Sequence, residues 1–204
     1  MARRTKSEAG ATRESILDAA ELEFLDNGVS RTTLERIARR AGMTRGAIYW
    51  HFRDKNDLFS AMVERVRLPL QDLIERIRHQ SAGDPLTVTR NICLEVLTSL
   101  TESPRDTRVY TILATRCEFV AEINPTVDKQ RELDNEALTK LTADFEAAHA
   151  QGILKPGIAP RIAALALRSL MAGIISDWLR DPKLFDLRTD GAAMLNIFFD
   201  GLRN

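Results

Sequence analysis

Residues 33–52 read TLERIARRAGMTRGAIYWHF, a pattern of two short helices joined by a tight turn. Ala38 stands where the two helices cross closely. Gly42 falls at the turn, where a left-handed backbone costs least without a Cβ. Thr44 is placed to cap the second helix, and Arg45 opens it. Ile37, Ala41 and Ile48 supply the apolar side. Arg45, Gly46, Ala47, Tyr49, Trp50 and His51 are left largely for the other side. A helix of about seven residues with so little to bury reads as a contact surface.

Charge points the same way. The 204-residue chain has a formal net charge of zero, which argues against generic nucleic-acid binding, but the distribution is uneven. Between Arg31 and Lys55 lie seven basic and two acidic residues, a net of +5. The preceding arm brings Arg3, Arg4, Lys6 and Arg13 against Glu8. From Leu58 onward there are 18 basic and 20 acidic residues. The chain therefore has a basic head and a near-neutral body. A basic cluster by itself can be a solvated helix face; joined to the helix-turn-helix pattern it points to nucleic acid.

Working outward, Ile16, Leu17, Ala20, Phe24 and Leu25 recur at helical spacing, predicting a first helix over 12–27 that Gly28 ends. Thr32 or Thr33 caps the second helix, and Phe52 turns back into a small core with Phe24 and Ile37. Asp54 caps a long fourth helix to about His79, with Pro69 inside it as a bend. Asp84-Pro85 opens a helix to Glu102, and further helices are predicted over 105–122, 124–151, 162–179 and 189–202. No period-2 run is long enough for a sheet. The reading is an all-α chain, with a helix-turn-helix domain over 1–56 and a larger helical domain over 57–204.

Other classes recede. Cys93 and Cys117 make neither a disulfide framework nor a metal cluster, and a reducing cytoplasm is expected. His51, His79 and His149 are scattered, without metal-ligand spacing. No phosphate loop or nucleophile elbow is present, so neither catalysis nor a cofactor is expected. No apolar run reaches the roughly 18 residues of a membrane span, and the basic N-terminus has no apolar segment of a signal peptide behind it.

The stretch from TRESILDAAELEFLDNGVSRTTLERIARRAG through MTRGAIYWHFRDKNDLFSAMVE resembles the DNA-binding domain of the tetracycline-repressor (TetR) family. The body resembles more loosely the subgroup that represses multidrug efflux pumps. The residues that carry this are Arg3–Lys6, TRGAIYWHF, Cys117–Phe119, the Gly152-x-Leu154 turn, and Gly173 followed by Trp178. The resemblance implies an all-α homodimer on a palindromic operator, repression of a nearby transporter gene, release by a small lipophilic or aromatic effector, and no enzymatic activity. A DNA-binding regulator without a small-molecule inducer is the alternative.

In such a head the third helix lies in the major groove. Arg45 is placed to read guanine O6 and N7, or to hold a phosphate. Gly46 permits close approach and Ala47 meets a thymine methyl. Thr33, Tyr49, His51 and Lys55 are phosphate candidates, while Thr44 caps the helix. Trp50 either lies along the sugar-phosphate backbone or belongs to the small core. Effector-facing positions are expected on five helices of the body: Leu70, Ile74 and Arg78; Thr89, Ile92, Cys93 and Val96; Tyr110, Leu113, Ala114 and Cys117; Leu138, Leu141 and Phe145; Leu167, Arg168, Met171, Ile174 and Ile175. Each reads equally well as core. Tyr110, Thr89, Arg78 and Arg168 are the candidates to orient a polar group. Leu165, Leu170, Ile197, Phe198 and Leu202 offer apolar surface for a subunit interface, or for packing within one subunit.

Overall fold

The computed structural model describes residues 6–80, 83–116 and 124–204. Among them the chain forms α1 (Lys6–Asn27), α2 (Leu34–Arg40), α3 (Arg45–His51), α4 (Lys55–Gln80), α5 (Pro85–Glu102), α6 (Pro104–Thr111), a π-helical turn (Ile112–Arg116), α7 (Asn124–Ala150), α8 (Pro160–Arg180) and α9 (Asp190–Leu202). Local signals account for most boundaries. Thr33 and Thr44 accept from the amides of Arg36 and Ala47, satisfying donors that a helix start leaves open. Asp84 does the same for Thr87 ahead of Pro85. Gly42 has φ +65, and beside it the Gly42 amide donates to Arg39 O and the Met43 amide to Ala38 O. These paired bonds form a Schellman motif.

Two expectations are corrected. The first helix begins at Lys6 rather than Thr12, because no proline interrupts residues 6–12 and a helix carries Gly10 at only a modest cost. The helix expected over 105–122 is α-helical only from Pro104 to Thr111 and then widens into the π turn; its last part lies outside the described residues, as do Arg3, Arg4 and Cys117.

The chain packs as two units, 1–67 with 108–128 and 68–107 with 129–204. Along α4 these units meet between Arg67 and Leu68, just before Pro69. The physical reason is a shared core. Ile16, Phe24, Ile37, Ile48, Phe52, Phe59 and Met62 bury together with Val109 and Ile112 from α6 and the π turn. The Phe24 and Phe59 rings meet edge to face at 5.7 Å, a geometry that their quadrupoles favour.

In the second unit α5 packs on α9 so closely that a Cβ at Gly191 would stand 3.1 Å from a Leu97 methyl. The chain end is tied down: the Lys155 amide donates to Leu202 O, the Asn204 amide to Ile153 O, and Arg203 donates to Asp84 and Thr87. By length and composition α8 is apolar enough to cross a membrane, which no uninterrupted run of the sequence predicted; Arg168 and Asp177 interrupt it.

Candidate nucleic-acid interface and effector domain

The recognition surface is α3. Ile48 is its one fully buried residue; it fixes the helix to the head core and turns the rest outward. Trp50 is 72% exposed and Tyr49 47%, so Trp50 is not a core residue of the head. Arg45 and Tyr49 lie one turn apart. The Arg45 guanidinium donates to the Tyr49 hydroxyl at 2.9 Å and stands 5.3 Å from its ring centroid, a cation–π contact. The hydrogen bond that Arg45 donates to Tyr49 raises the Arg45 pKa above its ordinary value. The two side chains hold each other extended on the outer face. Trp50 and His51 pack edge to face at 4.6 Å. A Cβ at Gly46 would have only the Thr44 hydroxyl, at 3.9 Å, for a neighbour, so the absence of a side chain there is not imposed by packing.

Around α3 the head is braced by ions. Glu23, nearly buried, accepts from Arg36 at 3.2 Å and Arg40 at 2.8 Å, and Arg40 also pairs with Asp26 at 2.6 Å. Thr32 donates to Gly28 O and Glu23 O. Together these fix the angle at which α2 leaves α1. Two basic residues of the head are therefore structural anchors as well as sources of positive potential. Lys55 has a structural part as well: its ammonium donates to Val29 O and Ser30 O, so the charge expected at a phosphate also closes the turn after α1. Thr33 is exposed and engaged in capping α2.

A second cluster escaped the sequence reading. Glu21 is fully buried and accepts from Arg65 of α4 and from Arg108 of α6, at 3.2 and 3.0 Å. Arg65 reaches Glu14 and Asp18 as well. The Val29 amide donates to Arg116 O at 3.1 Å. Residues 108–116 are thus built into the head by charge, backbone and core. One signal was available: Glu21 follows Leu17 by four residues and precedes Phe24 by three, so it lies on the apolar face of α1, where a carboxylate needs a partner.

The expected effector-facing residues divide between the units. In the second unit Thr89, Ile92, Cys93, Phe145, Leu167 and Ile174 are buried, and Leu70, Ile74, Arg78, Val96, Leu138, Leu141, Met171 and Ile175 are half-buried. Arg168 faces solvent, because its position on α8 lies off the buried stripe of Ala163, Ala164, Leu167 and Ile174. The Thr89 hydroxyl gives its proton to Pro85 O, leaving it only as an acceptor. Arg78 pairs with Asp144, yet Arg78 Nε and Asp144 Oδ2 are buried without a partner among the described residues. Burial pushes the Cys93 thiol up to about 12. Tyr110 and Leu113 instead pack against the head core, and Ala114 is exposed.

Comparison with known proteins matches this geometry. The family model of bacterial regulatory proteins, tetR family, covers residues 16–62. That of the MAATS-type transcriptional repressor, C-terminal region, covers residues 84–204. The chain is 37% identical over 200 residues to the HTH-type transcriptional regulator AcrR of Shigella flexneri, spanning 98% of this chain and 93% of that protein. The crystal structure of NalD, the secondary repressor of the MexAB-OprM multidrug efflux pump in Pseudomonas aeruginosa, superposes with a TM-score of 0.88 at 42% identity, over 98% of this chain and 99% of that one. A complex of SmeT with triclosan superposes with a TM-score of 0.81 at 35% identity, over 95% and 92% of the two chains; SmeT is the repressor of the Stenotrophomonas maltophilia efflux pump SmeDEF. With an exposed reading helix on a basic three-helix head, and both halves matched, the chain belongs to the TetR family of DNA-binding transcriptional regulators, which are not enzymes.

Proposed function

We propose that this protein is a cytoplasmic repressor of a multidrug efflux operon, binding a palindromic operator as a homodimer and released by a small lipophilic effector. The observation that carries the reading is α3, whose Arg45, Tyr49 and Trp50 project exposed from the head, touching only neighbours on the same helix. Arg45 reads a base, Gly46 lets the backbone approach, and Ala47 meets a thymine methyl; Thr33, Tyr49, His51 and Lys55 meet the backbone. One short helix reads too few base pairs for a unique site, so two are needed at one helical turn. Ile162 on α8 and Ile197 on α9 are exposed apolar residues, and they are the natural centre of a two-fold interface between α8–α9 pairs.

The effector would enter the second unit among α4, α5, α7 and α8, which carry the half-buried apolar side chains named above and the Arg78–Asp144 pair. The NalD and SmeT likenesses favour an efflux operon as the target, and triclosan in SmeT favours a lipophilic phenol as effector. The chain passes between the two units within α4, at residues 107–108 and again within α7 at residues 128–129. An effector that rearranges the second unit therefore pulls on the head through three covalent crossings. A tenfold loss of operator affinity needs only about 1.4 kcal/mol of coupling.

The test is fluorescence anisotropy on the intergenic DNA upstream of the protein's own locus and on a scrambled duplex, with and without triclosan. Sedimentation of the free protein is run alongside. Specific binding as a dimer that triclosan weakens supports the reading. A stable monomer, or equal affinity for both duplexes, refutes the operator part, and specific binding indifferent to triclosan and other lipophilic drugs refutes the effector part.

A further inference from the structure

The head carries a solvent-open cavity of about 510 Å³ whose walls come from the end of α1, the turn after it, α2 and the end of the π turn. That volume lies within the range of small-molecule sites. Its lining is unlike the body's apolar interior. No apolar side chain contributes; Arg31, Arg36 and Arg116 do, with the Ser30 and Thr115 hydroxyls. Such walls reject the lipophilic ligand proposed for the other unit, since each guanidinium would lose water without a partner. They also reject a metal ion, because Asp26 is the sole carboxylate in the lining and Arg40 already holds it at 2.6 Å.

The charge that remains is positive. Arg36 shares Glu23, but among the described residues no acid pairs with Arg31 or Arg116. A guanidinium presents a planar fork of donors suited to phosphate oxygens. Two backbone features set this wall in place without using the guanidinium groups. The chain widens into a π turn over Ile112–Arg116, a feature frequent at functional sites. Its last carbonyl, Arg116 O, is held by the Val29 amide. Gly28, at φ +79, makes the tight turn that brings Val29 there. Thr115 gives its proton to Thr111 O, so its oxygen is left to accept from a hydroxyl of a ligand.

We propose that this cavity is a binding site for a small phosphorylated metabolite, its phosphate held by Arg31, Arg36 and Arg116 and a hydroxyl by Thr115. The site is separate from the effector region of the second unit, and neither reading requires the other.

Thermal unfolding of the full-length protein tests it, with inorganic pyrophosphate and ribose 5-phosphate as probes against sodium chloride at matched ionic strength. A ligand at ten times its Kd raises the Tm of a chain this size by about 3–6 °C. The expected result is such a rise for the wild type and for Arg39→Ala, an exposed change on α2 outside the cavity, and its loss in Arg116→Ala and in Arg31→Ala. No rise beyond chloride, or an equal rise in all four proteins, overturns the proposal. A third arm measures scrambled-duplex affinity. If neither probe binds, and Arg31→Ala and Arg116→Ala weaken that affinity together, the cavity serves the DNA backbone instead and the proposal fails.

Discussion

Replacing Glu21 by alanine removes the carboxylate on which three helices of the head converge. Glu21 has no exposed surface, the Arg65 side chain is 9% exposed, and Arg108 donates twice to Glu21 Oε2. Deleting one partner of a buried pair typically costs about 3–5 kcal/mol, because the remaining charge keeps its desolvation cost and loses its compensation. Here Arg65 retains Glu14 and Asp18, at 2.8 and 2.9 Å on its outer side, which offsets part of that loss. The expectation is therefore the low end, about 3 kcal/mol, or a fall in Tm of about 6–12 °C for a chain this size. Urea and thermal unfolding followed by circular dichroism at pH 7 measure it. The Arg108 contact is isolated by the cycle of Glu21→Ala, Arg108→Ala and the double variant. With Arg108 one-third exposed, a coupling of about 1–2 kcal/mol is expected. A Glu21→Ala cost under about 1 kcal/mol, or additivity within about 0.5 kcal/mol, would refute the argument that this cluster fastens residues 108–116 to α1.

Three further outcomes are expected. Arg45→Ala should weaken operator binding by about 1–3 kcal/mol while changing scrambled-duplex affinity little; equal losses in anisotropy titrations would assign Arg45 to the phosphates. Gly46→Ala should leave stability unchanged or raise it by about 0.5–1 kcal/mol, since a Cβ there meets only the Thr44 hydroxyl, at an ordinary contact distance of 3.9 Å, yet it should weaken operator binding; retained affinity would exclude close backbone approach at α3. For Cys93, with its folded pKa pushed to about 12 by burial, the native protein binds more protons than the unfolded one above about pH 8.5. Stability is then fully present below that value and falls as pH rises towards 12. Urea titrations should show this alkaline slope reduced in Cys93→Ala, and the native thiol should resist a disulfide reagent at pH 8; rapid labelling of folded protein would sink the argument.

Much of the head was legible because its signals are local. Thr33 and Thr44 cap amides three residues away, as Asp84 does in the second unit, and Gly42 closes a turn whose bonds join residues three and five apart. Spacing alone suffices to read such contacts. The outward face of α3 was legible for the same reason, since Ile48 is the single apolar anchor in one turn and the other positions follow from helical period. The effector region was not. Leu138, Leu167 and Ile174 carry the same pattern whether they line a cavity or fill a core, and helical period does not distinguish the two.

The all-α class, the breaks between helices, the basic head and the reading helix with Arg45 at its start were determined by the amino-acid sequence itself, because caps, turns, periodicity and charge act within one or two turns of chain. Only the tertiary structure decided which unit residues 108–116 join, that Lys55 closes the turn after α1, and that Arg31 and Arg116 share a cavity. Glu21 meets its arginines across 44 and 87 residues. Pairings at such separations are selected by the packing of whole helices, and two apolar residues such as Val109 and Ile112 look the same in sequence whichever core they enter.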